Sequence, residues 1–158
     1  MDERTSGDAE PATRGRPTAG VFRHVLVAFD GSLDARRAAL LATALAGELG
    51  GVVDVLLVVA PPPHVETDED LERAKSAERE NLSAGLSEAT RGSAGTGAMS
   101  VHVVFDHHPA RVIAEHVRMH GIDLVVMGDH GREQGTHGGI GRVLEQVLAL
   151  RPCPVLVV

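Results

Sequence analysis

The chain has 158 residues, of which 43% are hydrophobic, and a formal net charge of −7; this composition predicts one folded domain with a full-sized core. A single lysine (Lys75) and the lack of Trp and Tyr disfavour nucleic-acid binding, which needs a basic surface or aromatic platforms. One cysteine, Cys153, excludes an intrachain disulfide and any multi-cysteine metal site. Neither a membrane-length apolar run nor a signal-peptide core occurs, so we expect a cytoplasmic protein without membrane partners.

Short apolar runs alternate with helical patterns along the chain after Gly20. Residues 1–20 carry almost no apolar side chains, so we predict a disordered tail over 1–20 and a single domain over 21–158. Most of the runs are rich in Val and Leu, as is typical of parallel strands covered on both faces. Strands are predicted at His24–Phe29, Val53–Val59, Ser100–Phe105, Ile122–Met127 and Pro154–Val158.

Four helices are predicted between these strands. The first begins after Ser32, a favourable N-cap, and ends before Gly50. Thr67 is predicted to cap the second helix, and Pro109 suits the first position of the third. The fourth covers Arg142 to Leu150. Strict alternation of strands and helices predicts a doubly wound α/β domain.

The region most informative about function is a glycine-rich loop. Six glycines occur between Gly128 and Gly141, directly after the fourth predicted strand and before the fourth helix. Backbone N–H groups in such a loop, together with the helix N-terminus, favour phosphate. A Walker loop is excluded because Lys75 is the only lysine, and the turn Asp30–Ser32 after the first strand lacks the dinucleotide glycine pattern. The missing lysine also disfavours a phosphorelay receiver.

The spacing Gly128-x2-Gly131-x9-Gly141, together with "VLVAFDGS", "DLVVMG" and "RPCPVLVV", resembles the universal stress protein family. The resemblance covers Phe22 to Val158. It implies a Rossmann-like five-stranded parallel sheet in the order 3-2-1-4-5, with helices on both faces. It also implies a homodimer, which we expect to form through the edge strand Pro154–Val158, and, in one branch of the family, ATP (with or without Mg²⁺) between the first and fourth strands. That crevice is the topological switch point, where α/β sheets bind ligands.

Carried over by position, the resemblance implies a set of nucleotide-binding residues. Asp30 and Val59 are implied to contact the adenine, and Ala28 and Met127 to lie near the ribose. The loop glycines and the residues from Gly141 to Val143 are implied to cradle the phosphates. Turn capping is the alternative role for Asp30. The full implied set is Ala28, Phe29, Asp30, Val59, Met127, Gly128, His130, Gly131, Gly141, Arg142 and Val143.

Arg142 departs from the pattern of the ATP-binding branch, which has Ser or Thr after the last glycine. The substitution removes one hydroxyl donor, whereas the backbone donors remain. Three outcomes stay open: the guanidinium binds phosphate with two parallel hydrogen bonds, it pairs with Asp30 and closes the site, or it points into water. Our hypothesis is that Arg142 binds phosphate.

Histidines form a second departure. His107–His108 precede the third helix, where the family typically has small residues, and His116 and His120 share one face of that helix. This pair alone supplies too few ligands for a metal, so no metal site is predicted. His130 and His137 lie in the glycine loop, where they are placed to touch phosphate and make binding pH-dependent.

Three classes of function follow. The leading one is a dimeric stress-response protein that binds ATP or a related adenine nucleotide and acts as a switch or reservoir. The alternative is a nucleotide-free dimeric interaction module whose site is closed by Arg142. An ATPase or nucleotide ligase is disfavoured, because no lysine is available to stabilise a transferring phosphoryl group and no paired carboxylates indicate a metal centre beside the loop. No catalytic residues are therefore predicted.

Overall fold

A computed structural model describes residues 22–63, 65–91, 98–131 and 140–158. The predicted tail over 1–20, His137 and most of the glycine loop lie outside the described residues. The strands are β1 (His24–Ala28), β2 (Val52–Val59), β3 (Met99–Phe105), β4 (Leu124–Met127) and β5 (Val155–Val157). The helices are α1 (Leu33–Leu49), α2 (Asp68–Ala89), α3 (Pro109–His120) and α4 (Arg142–Leu150).

All five strands form one parallel sheet in the order β3-β2-β1-β4-β5. The predicted fold class and strand order are therefore confirmed, and the strand boundaries differ from prediction by at most two residues. β1 is central, with β2 on one side and β4 on the other. The chain leaves β1 and β4 toward opposite halves of the sheet, and this opens a crevice at their carboxyl ends.

Each face of the sheet carries its own apolar core. Val25 and Val27 of β1 pack with buried residues of α1 and α2, whereas Leu26 packs with buried residues of α3 and α4. Successive residues of a strand point to opposite faces, so the continuous apolar runs are explained by helices on both sides.

The starts of α1 and α2 and the ends of α1 and α3 follow the predicted capping chemistry. Ser32 accepts a hydrogen bond from the N–H of Ala35 at 3.1 Å, and Thr67 caps α2 in the same way. Gly50 and Gly121 adopt the left-handed conformation that ends α1 and α3. In contrast, α3 and α4 begin without a side-chain cap. None of the described helices has the length and apolar character needed to cross a membrane.

Candidate functional site

A cavity of about 500 Å³ lies at the carboxyl ends of the central strands. Ala28 from β1, Val58 from β2 and Met127 from β4 line it, and Pro109 and Ile113 from α3 add apolar surface. The ends of parallel strands, the start of the glycine loop and the first turn of α4 thus meet at one place. This is the switch-point position expected for a ligand in a doubly wound sheet.

Ten of the eleven residues in the predicted set line this cavity. They are Ala28, Phe29, Asp30, Met127, Gly128, His130, Gly131, Gly141, Arg142 and Val143. Val59 is placed differently: it packs against the core on the α1–α2 face, and its neighbours Val58 and Ala60 line the cavity. Strand alternation gives the reason, because only every second residue of β2 faces α3 and α4.

Two of the three glycines of the predicted spacing are required by close packing against neighbouring backbone. A Cβ on Gly128 would lie 2.6 Å from Cβ of Asp34, because the end of β4 lies directly against the first turn of α1. On Gly141 it would lie 2.9 Å from the carbonyl oxygen of Asp129. On Gly131 it would meet only the tip of the Asp30 carboxylate, at 2.9 Å. Gly128 and Gly141 therefore have structural roles whether or not a ligand binds.

Asp30 organises the turn between β1 and α1. Its Oδ1 accepts a hydrogen bond from the N–H of Ser32 at 2.9 Å, and Ser32 in turn caps α1. The hydroxyl of Ser32 also donates to the carbonyl of His130 at 3.5 Å, which connects this turn to the glycine loop. Asp30 therefore serves the turn as an Asx motif while its side chain also lines the cavity.

The exit of β4 is fixed by β5. The N–H of Asp129 donates to the carbonyl of Val158 at 3.1 Å, and the N–H of Val158 donates to the carbonyl of Met127 at 2.9 Å.

His130 Nδ1 lies 2.7 Å from Oδ1 of Asp129, and this hydrogen bond holds the pKa of Asp129 below its usual value. Asp34, Asp129 and His130 offer three ligand atoms within 4.8 Å of one another, so this corner has the chemistry to hold a cation beside the cavity.

Two helix N-termini open onto the cavity without side-chain caps. α4 begins at Arg142 after Gly141, and α3 begins at Pro109 after His108. Uncapped N–H groups and the helix dipole favour an anion at such positions. Arg142 is exposed at the cavity wall, and in the described part of the chain it makes no ion pair with Asp30 or any other carboxylate.

The segment between β3 and α3 adds polar residues to the cavity that the predicted set did not include. Asp106, His107 and His108 line it. Asp106 accepts the N–H of His108 at 2.7 Å and an Nη2 hydrogen of Arg111 at 2.7 Å, and these partners lower the pKa of Asp106. Their position directly after a strand was the available sequence signal, because all parallel strands end at the same edge of the sheet.

A model of the universal stress protein family matches residues 22–158. The chain belongs to this family. A "Universal stress protein in QAH/OAS sulfhydrylase 3'region" from Thermus aquaticus is 31% identical over 139 residues, which is 87% of this chain and 99% of that protein.

Solved structures show the same fold in other members. A universal stress protein in complex with cAMP is 17% identical, covers 87% of this chain and 97% of its own, and superimposes with a TM-score of 0.69. A universal stress protein from Archaeoglobus fulgidus in complex with dAMP is 22% identical, covers 87% of this chain and 98% of its own, and has a TM-score of 0.58.

Proposed function

We propose that this universal stress protein binds an adenine nucleotide, ATP in the first instance, in the cavity between β1 and β4. The observation that carries the proposal is the convergence of the glycine loop, the uncapped start of α4 and Arg142 on that cavity. Relatives of the same fold in complex with cAMP and dAMP support an adenine nucleotide as the ligand class.

The two ends of the cavity suit the two ends of a nucleotide. The N–H groups at the start of α4 would donate to phosphate oxygens, and the Arg142 guanidinium would add a charge-assisted bidentate contact. The apolar side would hold the adenine against Val58, which takes the part first expected of Val59, and the ribose near Ala28 and Met127. If ATP enters with Mg²⁺, the carboxylates of Asp129 and Asp34 are the oxygen ligands at hand.

Substitution of Arg142 tests the phosphate contact. In the Arg142→Ser variant, ATP affinity measured by calorimetry should fall about 10- to 100-fold, because a hydrogen bond to a charged group contributes about 1.5–3 kcal/mol. Arg118→Ser, the same change at an exposed residue of α3 away from the cavity, is the matched control and should leave the affinity unchanged. Equal or tighter ATP binding by Arg142→Ser would contradict the role given to Arg142.

We propose that the nucleotide acts on a homodimer formed through β5. This short strand lies at the edge of the sheet, and Leu156 and Val157 leave 36% and 41% of their surface exposed. Edge pairing between two copies would satisfy the free backbone groups of β5 and cover both side chains. Leu156→Lys should shift the sedimentation coefficient to that of a monomer, whereas Leu150→Lys in α4 serves as the control substitution.

A nucleotide-free interaction module is the second candidate, and the exposed apolar edge at β5 is the feature that favours it. In neither case do we propose an enzyme. Phosphate release at more than a slow incidental rate, abolished by Asp30→Ala, would overturn that position.

A further inference from the structure

A second group of polar side chains lies on the α3 face of the sheet, outside the cavity. Four of the nine histidines surround the carboxylate of Asp54. We call this group the histidine cluster; it consists of His24 from β1, Asp54 from β2, His102 from β3, and His116 and His120 from α3. The strand register brings these side chains together. Asp54 pairs with Leu26 of β1 and with Ser100 of β3. His24 and His102 each lie two residues from those partners, so their side chains are on the same face of the sheet as Asp54.

The atoms of the histidine cluster are close together. Oδ2 of Asp54 lies 3.0 Å from Nε2 of His24 and 3.4 Å from Nε2 of His116. Oδ1 lies 3.6 Å from Nε2 of His102. The rings of His116 and His120 stack with their centroids 4.0 Å apart, and Asp54, His116 and His120 each offer a ligand atom within 4.8 Å of the other two.

Burying the polar side chains of the histidine cluster costs free energy unless each polar atom has a hydrogen-bond partner or binds an ion. Asp54 is 5% exposed and His116 is 8% exposed, and buried polar groups lose free energy unless they are paired. Nε2 of His102 is buried and has no hydrogen-bond partner among the described residues. Hydrogen bonds within the histidine cluster therefore leave at least one buried nitrogen lone pair or N–H group without a partner.

We propose that the histidine cluster binds a divalent transition-metal cation of the zinc type, with Asp54, His116 and His120 as ligands and His102 as the fourth. With zinc–ligand bonds of about 2.0–2.1 Å, tetrahedral ligands lie about 3.3 Å apart. The 3.4 Å between Asp54 Oδ2 and His116 Nε2 is near this separation. His102 Nε2 lies 3.6 Å from the other oxygen, Oδ1, and would turn toward the cation to become the fourth ligand. His24, whose Nε2 lies 3.0 Å from Oδ2, would then orient the Asp54 carboxylate, as outer partners of metal ligands commonly do.

The donor set and its surroundings fit this metal class. Imidazole nitrogen with one carboxylate oxygen is typical of zinc, nickel and cobalt, and does not suit Mg²⁺ or Ca²⁺. His120 is exposed and gives the cation a path from solvent.

The test uses the full chain without an affinity tag, stripped of metal with a chelator, and CoCl₂ and ZnCl₂ as probes. Co²⁺ should produce the intense visible absorption of a tetrahedral site at one equivalent, and Zn²⁺ should displace it. His120→Ala, at an exposed position, should weaken Zn²⁺ at least about 100-fold, since loss of an outer partner alone costs 10- to 100-fold. His102→Gln should weaken it as well, and a cooperative urea-unfolding transition reports that each variant is folded.

His107→Ala, His108→Ala and Cys153→Ser are the matched controls and should keep wild-type Zn²⁺ affinity. Three results would overturn the proposal: no Co²⁺ absorption with a stoichiometry near one, unchanged Zn²⁺ affinity in His120→Ala, or loss of binding in the controls equal to that in His120→Ala. The last would indicate surface histidines acting nonspecifically. Each readout is separate from ATP binding, so failure here leaves the proposed nucleotide function intact.

Discussion

The two ends of α3 lie in different chemical surroundings. At its start, the cavity is shaped mainly by backbone: strand ends, a glycine loop and uncapped helix N-termini. At its end, the histidine cluster is made of side chains contributed singly by three strands and by one turn of the helix. The first surrounding suits an anion and the second a cation, so one helix of 12 residues, about 18 Å long, separates two sites of opposite preference.

The largest effect expected at the cavity end concerns Gly128. Gly128→Ala places a Cβ 2.6 Å from Asp34 Cβ and 2.9 Å from Asp34 carbonyl carbon, so β4 and α1 must separate. We expect a loss of about 2–3 kcal/mol in the free energy of unfolding, measured in urea, as for other overpacked sites. Gly85→Ala in α2 is the control: its Cβ would touch only the Phe29 ring at 4.0 Å, and it should be neutral or stabilising by about 0.5–1 kcal/mol. Similar losses of unfolding free energy in the two variants would contradict the structural role given to Gly128.

In the histidine cluster, at the other end of α3, substitution of Asp54 should lower the free energy of unfolding most. In metal-free protein, Asp54→Asn weakens the charge-assisted contacts to His24 and His116 in a buried place. The expected cost is about 1–3 kcal/mol of unfolding free energy. Asp106→Asn, at a half-buried carboxylate with 23% of its side chain exposed, should cost less. The opposite ranking would mean that Asp54 contributes little to the histidine cluster.

Lowering the pH should reduce the free energy of unfolding of the metal-free protein, because His116 takes up a proton less readily in the folded state. The folded state lowers the pKa of His116 from its usual 6.5, so as the pH falls below 6.5 the unfolded chain binds the proton first. Stability is therefore fully present above pH 6.5 and declines below it, by at most about 1.4 kcal/mol per pH unit for one proton. The measurement is urea unfolding in chelator between pH 7.5 and about 5.5, compared with His116→Gln. An identical pH slope in both proteins would contradict this origin.

The smallest expected effect is that of a substitution in the histidine cluster on ATP binding in the cavity, and the reverse. Because no residue belongs to both the cavity lining and the histidine cluster, His120→Ala should change ATP affinity by no more than about 2-fold, and Arg142→Ser should leave Zn²⁺ affinity equally unaffected. Calorimetric titration of each variant with both ligands measures this. A reciprocal change larger than 10-fold would instead make the sites coupled, by linkage in both directions.

The strands and helices were accessible from sequence because their signals are local, whereas the strand order and the residues of the cavity came from the resemblance to the family. Apolar runs predicted the strands, and caps such as Ser32 and Gly50 predicted the helix limits. Ten residues of the implied set fall together because the ends of β1 and β4 meet wherever the strand order reverses. Val59 and Val58 lie on opposite faces of β2 and only Val58 lines the cavity; both are valines, so the residue type at this end of the strand does not mark which one faces it.

The histidine cluster was not accessible in this way. The pair His116 and His120 was visible on one helix face, but by itself it lacked ligands for a metal. The missing members come from β2 and β3, and only the register of three strands brings Asp54 and His102 beneath α3. The one sequence sign was a lone aspartate within the apolar run of β2, where a buried charge requires partners.

The most direct test of the account is the nucleotide content and ATP affinity of the full chain. We expect denatured purified protein to release an adenine nucleotide. Calorimetry on the emptied protein should then show one ATP per chain with micromolar affinity, weakened by Asp30→Ala. No released nucleotide and no heat of binding with the wild-type protein would contradict the central claim, and the β5 edge would then be the place to seek a function.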